Sequence, residues 1–142
     1  MGQKMTSTLI DSNVLIDIFK RDQVWLDWSS RQVAASSNQG EVVVNAIAFA
    51  EISVGFATHR DLAAMLKLVG VELADIPWEA AFLAGHTHSR YRRVGGARDR
   101  TLPDFMMGAH AAVKRFRLLT RDARNYRTYF PELELVTPDT HP

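Results

Sequence analysis

The chain of 142 residues contains no cysteine. That absence excludes a disulfide scaffold, a zinc-thiolate finger, an iron–sulfur site and a cysteine nucleophile. Long apolar runs are also missing: nothing approaches the roughly 20 residues that a membrane helix requires, and the opening MGQKMTSTLIDSN holds no apolar block of secretory type. The expected compartment is the cytoplasm. No internal repeat or low-complexity tract is present, and the Gly95-Gly96 pair lies in a basic stretch, Arg90 to Arg100, too short to act as a linker between domains. Residues 1–142 are therefore expected to form a single domain. At about 150 residues folding buries roughly 68–70% of the surface exposed by the unfolded chain, enough to dispense with a structural metal.

Charge of one sign is scarce only in net terms, with 17 Lys+Arg against 16 Asp+Glu. Locally it is strongly divided. Residues 1–85 carry 6 basic and 10 acidic groups, residues 86–127 carry 11 and 3, and residues 128–142 add 3 acids. Since 13 of the 17 basic residues are Arg, the asymmetry points to a phosphate-bearing partner.

Strand-like and helical segments alternate along the chain. Thr8 to Ile10 reads as a short strand and Asn13 to Lys20 as a helix; Gln23 to Ser37 is weakly amphipathic and stops at Asn38-Gln39-Gly40. The β-branched run within Glu41 to Asn45 predicts a second strand, followed by an apolar helix from Ala46 to Ala57. Helical spacing returns over Asp61 to Val69, and Val71 to Ile76 reads as a strand. Pro77 and Pro103 suit the first turns of helices running to about Arg93 and about Phe116. Leu118 to Thr120 and Leu133 to Val136 are the last expected strands. This alternation predicts an α/β fold, a parallel sheet covered by helices on both faces, with its site at the carboxyl ends of the strands.

Four acids occupy telling places in that scheme. Asp11 follows the first strand, Glu51 interrupts the apolar helix after the second, Asp104 follows Leu102-Pro103 at the head of a late helix, and Asp122 follows the strand ending at Thr120. Each has an ordinary alternative: a helix cap for Asp11, with Ser12 or Asn13 able to cap in its place, an exposed stripe for Glu51, the helix dipole for Asp104 and a turn for Asp122. Taken together they converge on one end of the predicted sheet. Carboxylates about 5 Å apart repel by roughly 3 kcal/mol per pair at an effective dielectric of about 20, so a shared pocket calls for cations. An all-oxygen cage suits Mg²⁺ or Mn²⁺. The chemistry implied is metal-assisted hydrolysis of a phosphodiester.

These residues resemble the PIN-domain ribonucleases, and more narrowly the VapC-type toxins of type II toxin–antitoxin pairs. The resemblance spans nearly the whole chain: Asp11-Ser12-Asn13 after a strand, Glu51 on the helix after the second, Leu102-Pro103-Asp104 opening a late helix, and Leu119-Thr120-Arg121-Asp122 leaving a strand. It implies a three-layer α/β/α PIN-like fold and Mg²⁺- or Mn²⁺-dependent endoribonuclease activity. Asp11, Glu51, Asp104 and Asp122 would be the catalytic, metal-binding quartet, supported by hydrogen bonds from Asn13 and Thr120. It further implies a cognate antitoxin that neutralises the enzyme, and a homodimer.

Four carboxylates with one divalent ion still repel a phosphodiester, so positive charge is expected around the rim. Arg98 and Arg100 are the expected substrate contacts, since Arg matches phosphate geometry. Asp99 is an extra acid near Asp104. His86 and His88, two apart on one helix, face different ways and are expected at the surface, while His110 is expected in helix packing. Tyr126, Tyr129 and Phe130 are expected to seal the last strand against the core. Other functions fit the sequence less well. A haloacid-dehalogenase-like phosphatase needs a second acid where Asn13 stands and has no use for Glu51. A non-catalytic RNA-binding or scaffolding module of the same fold would be expected to have lost an acid.

Overall fold

The computed structural model describes residues 5–96 and 99–142. Five parallel strands, β1 (Thr8–Ile10), β2 (Val42–Val44), β3 (Glu72–Leu73), β4 (Arg117–Leu119) and β5 (Leu135–Val136), are arranged in the order β3-β2-β1-β4-β5. The three central strands are buried along their whole length. This is the pattern of a sheet covered on both faces, which demands continuous apolar strands in place of alternation. Thr8 pairs with Val42 on one side and Arg117 on the other.

Among the described residues, seven helices make the covering layers: α1 (Ser12–Phe19), α2 (Leu26–Ser37), α3 (Ala46–Ser53), α4 (His59–Leu68), α5 (Trp78–Arg93), α6 (Leu102–Lys114) and α7 (Arg124–Arg127). Right-handed crossovers in this strand order put α1 to α4 on one face and α5 to α7 on the other. In keeping with that, α1 packs on α2 and α3, and α6 packs on α5 and α7. The core beneath them is built from Leu9, Ile10, Leu15, Leu62, Leu66, Phe105 and Leu118 among others. At Gly108 a Cβ would lie 2.3 Å from the Phe130 ring, so α6 can approach the chain after α7 only without a side chain there.

Several boundaries differ from the sequence-based expectation. The second helix starts at Leu26 and not near Gln23, because the Asp22 carboxylate takes the Val24 and Trp25 N–H groups at 2.9 and 2.8 Å and makes a turn. The third stops at Ser53, short of Ala57. The expected strand Val71 to Ile76 pairs over Glu72–Leu73 alone, at the exposed edge of the sheet. The short helix α7 was not expected. No helix among the described residues is long and apolar enough to cross a membrane.

Candidate active site

Two strand exits and two helices bring the candidate residues to the carboxyl edge of the central strands. Asp11 leaves β1, Thr120 and Asp122 leave the adjacent β4, Glu51 sits on α3 beyond β2, and Asp104 is in the first turn of α6. The Asp11 N–H is itself tied to the Leu119 carbonyl at 2.9 Å, which fixes the two central exits side by side.

Asp11 is 7% exposed. One carboxylate oxygen, Oδ1, accepts the Ser12 N–H at 2.8 Å, so Asp11 is the N-cap of α1; the sequence leaves the cap open to Ser12 or Asn13, but the Asp11 carboxylate lies nearest the freed N–H. The other, Oδ2, accepts the Thr120 hydroxyl at 2.8 Å and the Tyr126 hydroxyl at 2.9 Å. Ser12 then turns its own hydroxyl away from the helix and donates it to Glu51 Oε1 at 3.0 Å. Neighbouring residues thus bind two of the acids. Burial pushes the Asp11 carboxyl above its usual range, and the Glu51 charge adds to this, while the three hydrogen bonds oppose it.

Thr120 is the hub of the β4 exit. Besides donating to Asp11, its oxygen accepts the Asp122 N–H at 3.0 Å and the Asn13 amide at 3.4 Å, and Asn13 in turn accepts the Arg121 N–H at 3.2 Å. Beneath this turn, Arg121 holds Asp17 with two bonds of 2.7 and 3.0 Å, and its guanidinium lies 5.0 Å over the Trp25 ring. Asp104 forms a capping box: its Oδ2 accepts both the N–H and the hydroxyl of Thr101, at 2.9 and 3.1 Å. Among the described residues Oδ1 of Asp104 has no partner. The Tyr126 hydroxyl is held well above its usual pKa, first by burial and then by Asp11, with smaller contributions from the charges of Asp104 and Asp122. That tyrosine is within electrostatic reach of three of the four acids.

The acids carry little compensating charge. Among the described ion pairs none involves Asp11, Glu51 or Asp104, and Asp122 has only the exposed Arg124 at 3.6 Å. The donor set, oxygen throughout with a buried and unpaired carboxylate at its centre, fits a hard divalent cation. It is open and not a closed cage: among the described residues no three acidic or imidazole side chains stand close enough together to hold an ion by themselves. An ion here would keep several waters, as Mg²⁺ does.

The other candidates fall in varied places. Arg98 lies outside the described residues. Arg100 is stacked between two rings, 6.0 Å from Tyr91 and 5.8 Å from Tyr129. Asp99 accepts the Tyr91 hydroxyl at 2.9 Å and is occupied there. His86 is exposed beside Phe82, whereas His88 is half-buried against Phe105 and Tyr91. His110 is buried in α6 and meets the Asn45 amide at 3.1 Å, under the residue that caps α3. Three contributors escape a reading of the sequence: Ser12, Tyr126 and the Asp17–Arg121 pair. Tyr126, expected to seal the last strand, has its ring buried but its hydroxyl on Asp11. The only advance signal is its place four residues after Asp122.

Residues 8–131 match the PIN domain family. No curated protein sequence matches the chain. Among solved structures it is similar to VapBC2 of Rickettsia felis bound to a promoter DNA fragment, at 16% identity, covering 93% of this chain and 98% of that one with a TM-score of 0.70. It is also similar to DNA-bound VapBC of Salmonella typhimurium, at 19% identity, 94% and 98% coverage and a TM-score of 0.69. A toxin–antitoxin complex of Klebsiella pneumoniae is similar at 23% identity, with 92% and 97% coverage and a TM-score of 0.64. At such identities these likenesses carry the fold.

Proposed function

Since this chain belongs to the PIN domain family, we propose that it is a metal-dependent endoribonuclease and the toxin of a toxin–antitoxin pair. The observation that carries the proposal is Asp11: a buried carboxylate with no cation beside it among the described residues, bonded through Ser12 to a second acid and through its own Oδ2 to the Tyr126 hydroxyl, which also feels the charges of Asp104 and Asp122. Burying an uncompensated charge is costly, and a divalent ion relieves that cost. Asp11 through Oδ1, Glu51, Asp104 through Oδ1 and Asp122 would hold it. Bound there, Mg²⁺ or Mn²⁺ supplies Lewis acidity and lowers the pKa of a bound water.

The chain's own residues orient that centre. Thr120 and Tyr126 bond Oδ2 of Asp11 and the Ser12 N–H bonds Oδ1, so the lone pair left on Oδ1 is the one proposed for the ion. The capping box likewise bonds Oδ2 of Asp104. Asn13 and the Asp122 N–H lock the Thr120 rotamer, whose remaining role is to donate to Asp11. The solved structures it resembles are toxin–antitoxin complexes, and a cognate antitoxin is proposed as the neutralising partner here.

The purified chain is expected to cleave RNA internally with Mg²⁺ or Mn²⁺ and to stop on chelation; expressed without its partner it is expected to arrest growth. A folded chain that leaves a broad RNA pool intact in both ions would overturn the assignment. Thr120→Val keeps the shape but removes the hydroxyl shared by Asp11, Asn13 and Asp122. Losing such a supporting bond typically costs about 10–100-fold in activity or metal affinity, so the Mn²⁺ titration of cleavage should shift to higher concentration. An unshifted titration would show that Thr120 does not orient Asp11.

A further inference from the structure

At the opposite end of the sheet from the acids lies a groove of about 960 Å³, between α5 and the chain joining α7 to β5, floored by the end of α6 and the start of β4. Four basic residues line it, Arg90, Lys114, Arg115 and Arg117, against two acids, Glu132 and Glu134. Tyr129 forms part of the wall, and its ring carries the Arg100 guanidinium stacked at 5.8 Å. From Asp104 to Lys114 the axis of α6 advances about 15 Å, so the groove is remote from the acid site yet joined to it by one rigid helix.

Two of its arginines are poorly explained by stability. Arg117 is 7% exposed, but its guanidinium has only long contacts, 3.5 Å to the Thr8 hydroxyl and 3.6 Å to Glu134, and its Nε has no partner among the described residues. Burying a guanidinium so incompletely bonded destabilises a fold. Arg115 ends α6 in the left-handed conformation, φ 57°, where glycine is favoured. Both positions place positive charge in the groove at a cost that apolar residues or glycine would avoid. A basic channel with an aromatic ring in its wall is the combination that single-stranded nucleic acids use, phosphates on the cations and a base on the ring.

We propose that this groove is an exosite for the RNA strand, taking backbone phosphates on Arg90, Lys114, Arg115 and Arg117 and a base against Tyr129. It deepens the ribonuclease assignment and rests on it for the identity of the ligand. The acid site cuts; the groove holds a distant part of the same RNA, so it selects long substrates over short ones.

The test uses Arg90→Glu with Lys114→Glu, two exposed positions whose reversal leaves the core untouched, beside the charge-keeping pair Arg90→Lys with Lys114→Arg. With chelator present to stop cleavage, an RNA of about 20 nucleotides should bind the reversed pair about tenfold more weakly or worse. The slope of log affinity against log salt should fall by about 1.4, from a pair of phosphate contacts at about 0.7 each. The charge-keeping pair should match the unaltered chain. With Mn²⁺, KM for the long RNA should rise at constant kcat, while an oligonucleotide of about 4 nucleotides is cut with unchanged KM. Unchanged affinity and slope, or equal losses on long and short RNA, overturn the exosite. Retained RNA affinity with lost binding of an acidic protein partner would assign the groove to that partner and overturn it equally. If the unaltered chain cuts no RNA yet loses RNA binding on charge reversal, the exosite stands and the ribonuclease assignment falls.

Discussion

Asp11→Asn is expected to lower metal-dependent RNA cleavage by about 10³-fold or more. The size follows from the role proposed for the group: a charged metal ligand contributes several kcal/mol, and each 1.36 kcal/mol is about tenfold in rate. The amide is nearly isosteric and its oxygen still accepts from Thr120 and Tyr126, so the fold should persist. Thermal melting separates a lost ligand from a lost fold. Mn²⁺ at about 100 times its Kd should stabilise the unaltered chain by about 2.7 kcal/mol, or roughly 5–10 °C at this length, and the variant scarcely at all. Without metal the sign is different. Burial and Glu51 raise the folded-state pKa of Asp11, so the stability of its protonated form is lost as pH rises through that value. At neutral pH the metal-free variant should therefore melt no lower than the unaltered chain, less any loss from the Ser12 cap, and its relative advantage should shrink as pH falls through the Asp11 pKa. Cleavage within tenfold of the unaltered rate would remove Asp11 from the centre.

Arg121→Ala should produce the largest loss of stability. Asp17 is 2% exposed, and apart from the Ser29 hydroxyl at 2.8 Å its carboxylate depends on Arg121. Removing one partner of a buried pair leaves an uncompensated charge and costs about 3–5 kcal/mol, a large share of the 5–15 kcal/mol typical of a domain. The melting temperature should fall by roughly 6–20 °C. Adding Asp17→Asn to the same chain removes the stranded charge and should restore some of the loss, and that coupling distinguishes the ion pair from mere packing on Trp25. Arg121→Lys should not rescue fully, because an ammonium cannot reproduce the two-pronged contact. A cost below about 1 kcal/mol for Arg121→Ala would show that the pair does not secure the turn bearing Thr120 and Asp122.

The strand–helix alternation and the places of the acids were legible because both are periodic or punctuated locally. A β-branched run announces β2, and Pro77 and Pro103 mark helix starts. What escaped depends on pairings across the chain. Asp22 reads as one more surface acid until its carboxylate is seen closing a turn, which moves the start of α2 by three residues. Arg121 belonged to a run of arginines with nothing to separate it from Arg124 or Arg127, yet it alone reaches Asp17, 104 residues away. Tyr126 looked like another apolar ring near the last strand; its hydroxyl finds Asp11 only because α7 turns the chain back over β4. Arg98 and Arg100 were singled out for their charge and their match to phosphate, and Arg100 lies over two aromatic rings by a geometry that neither encodes. The contrast between the acid site and the basic groove at opposite ends of α6 was likewise hidden, since Asp104, Asp122 and the groove's four cations all lie in one basic segment.

The pairing of β1 with β4 also sets a timetable. Asp11 and the Thr120 hydroxyl that steadies it are separated by 109 residues, and Tyr126 lies six residues farther on. During synthesis the first strand must wait for almost the entire chain before its neighbour β4 exists, and contacts of such long range form slowly. Nascent chains and fragments cut before Tyr126 lack a completed centre. Synthesis is thus more than 100 residues past β1 before the proposed centre can assemble, and a truncated chain holds the first acid without the hydroxyls that steady it.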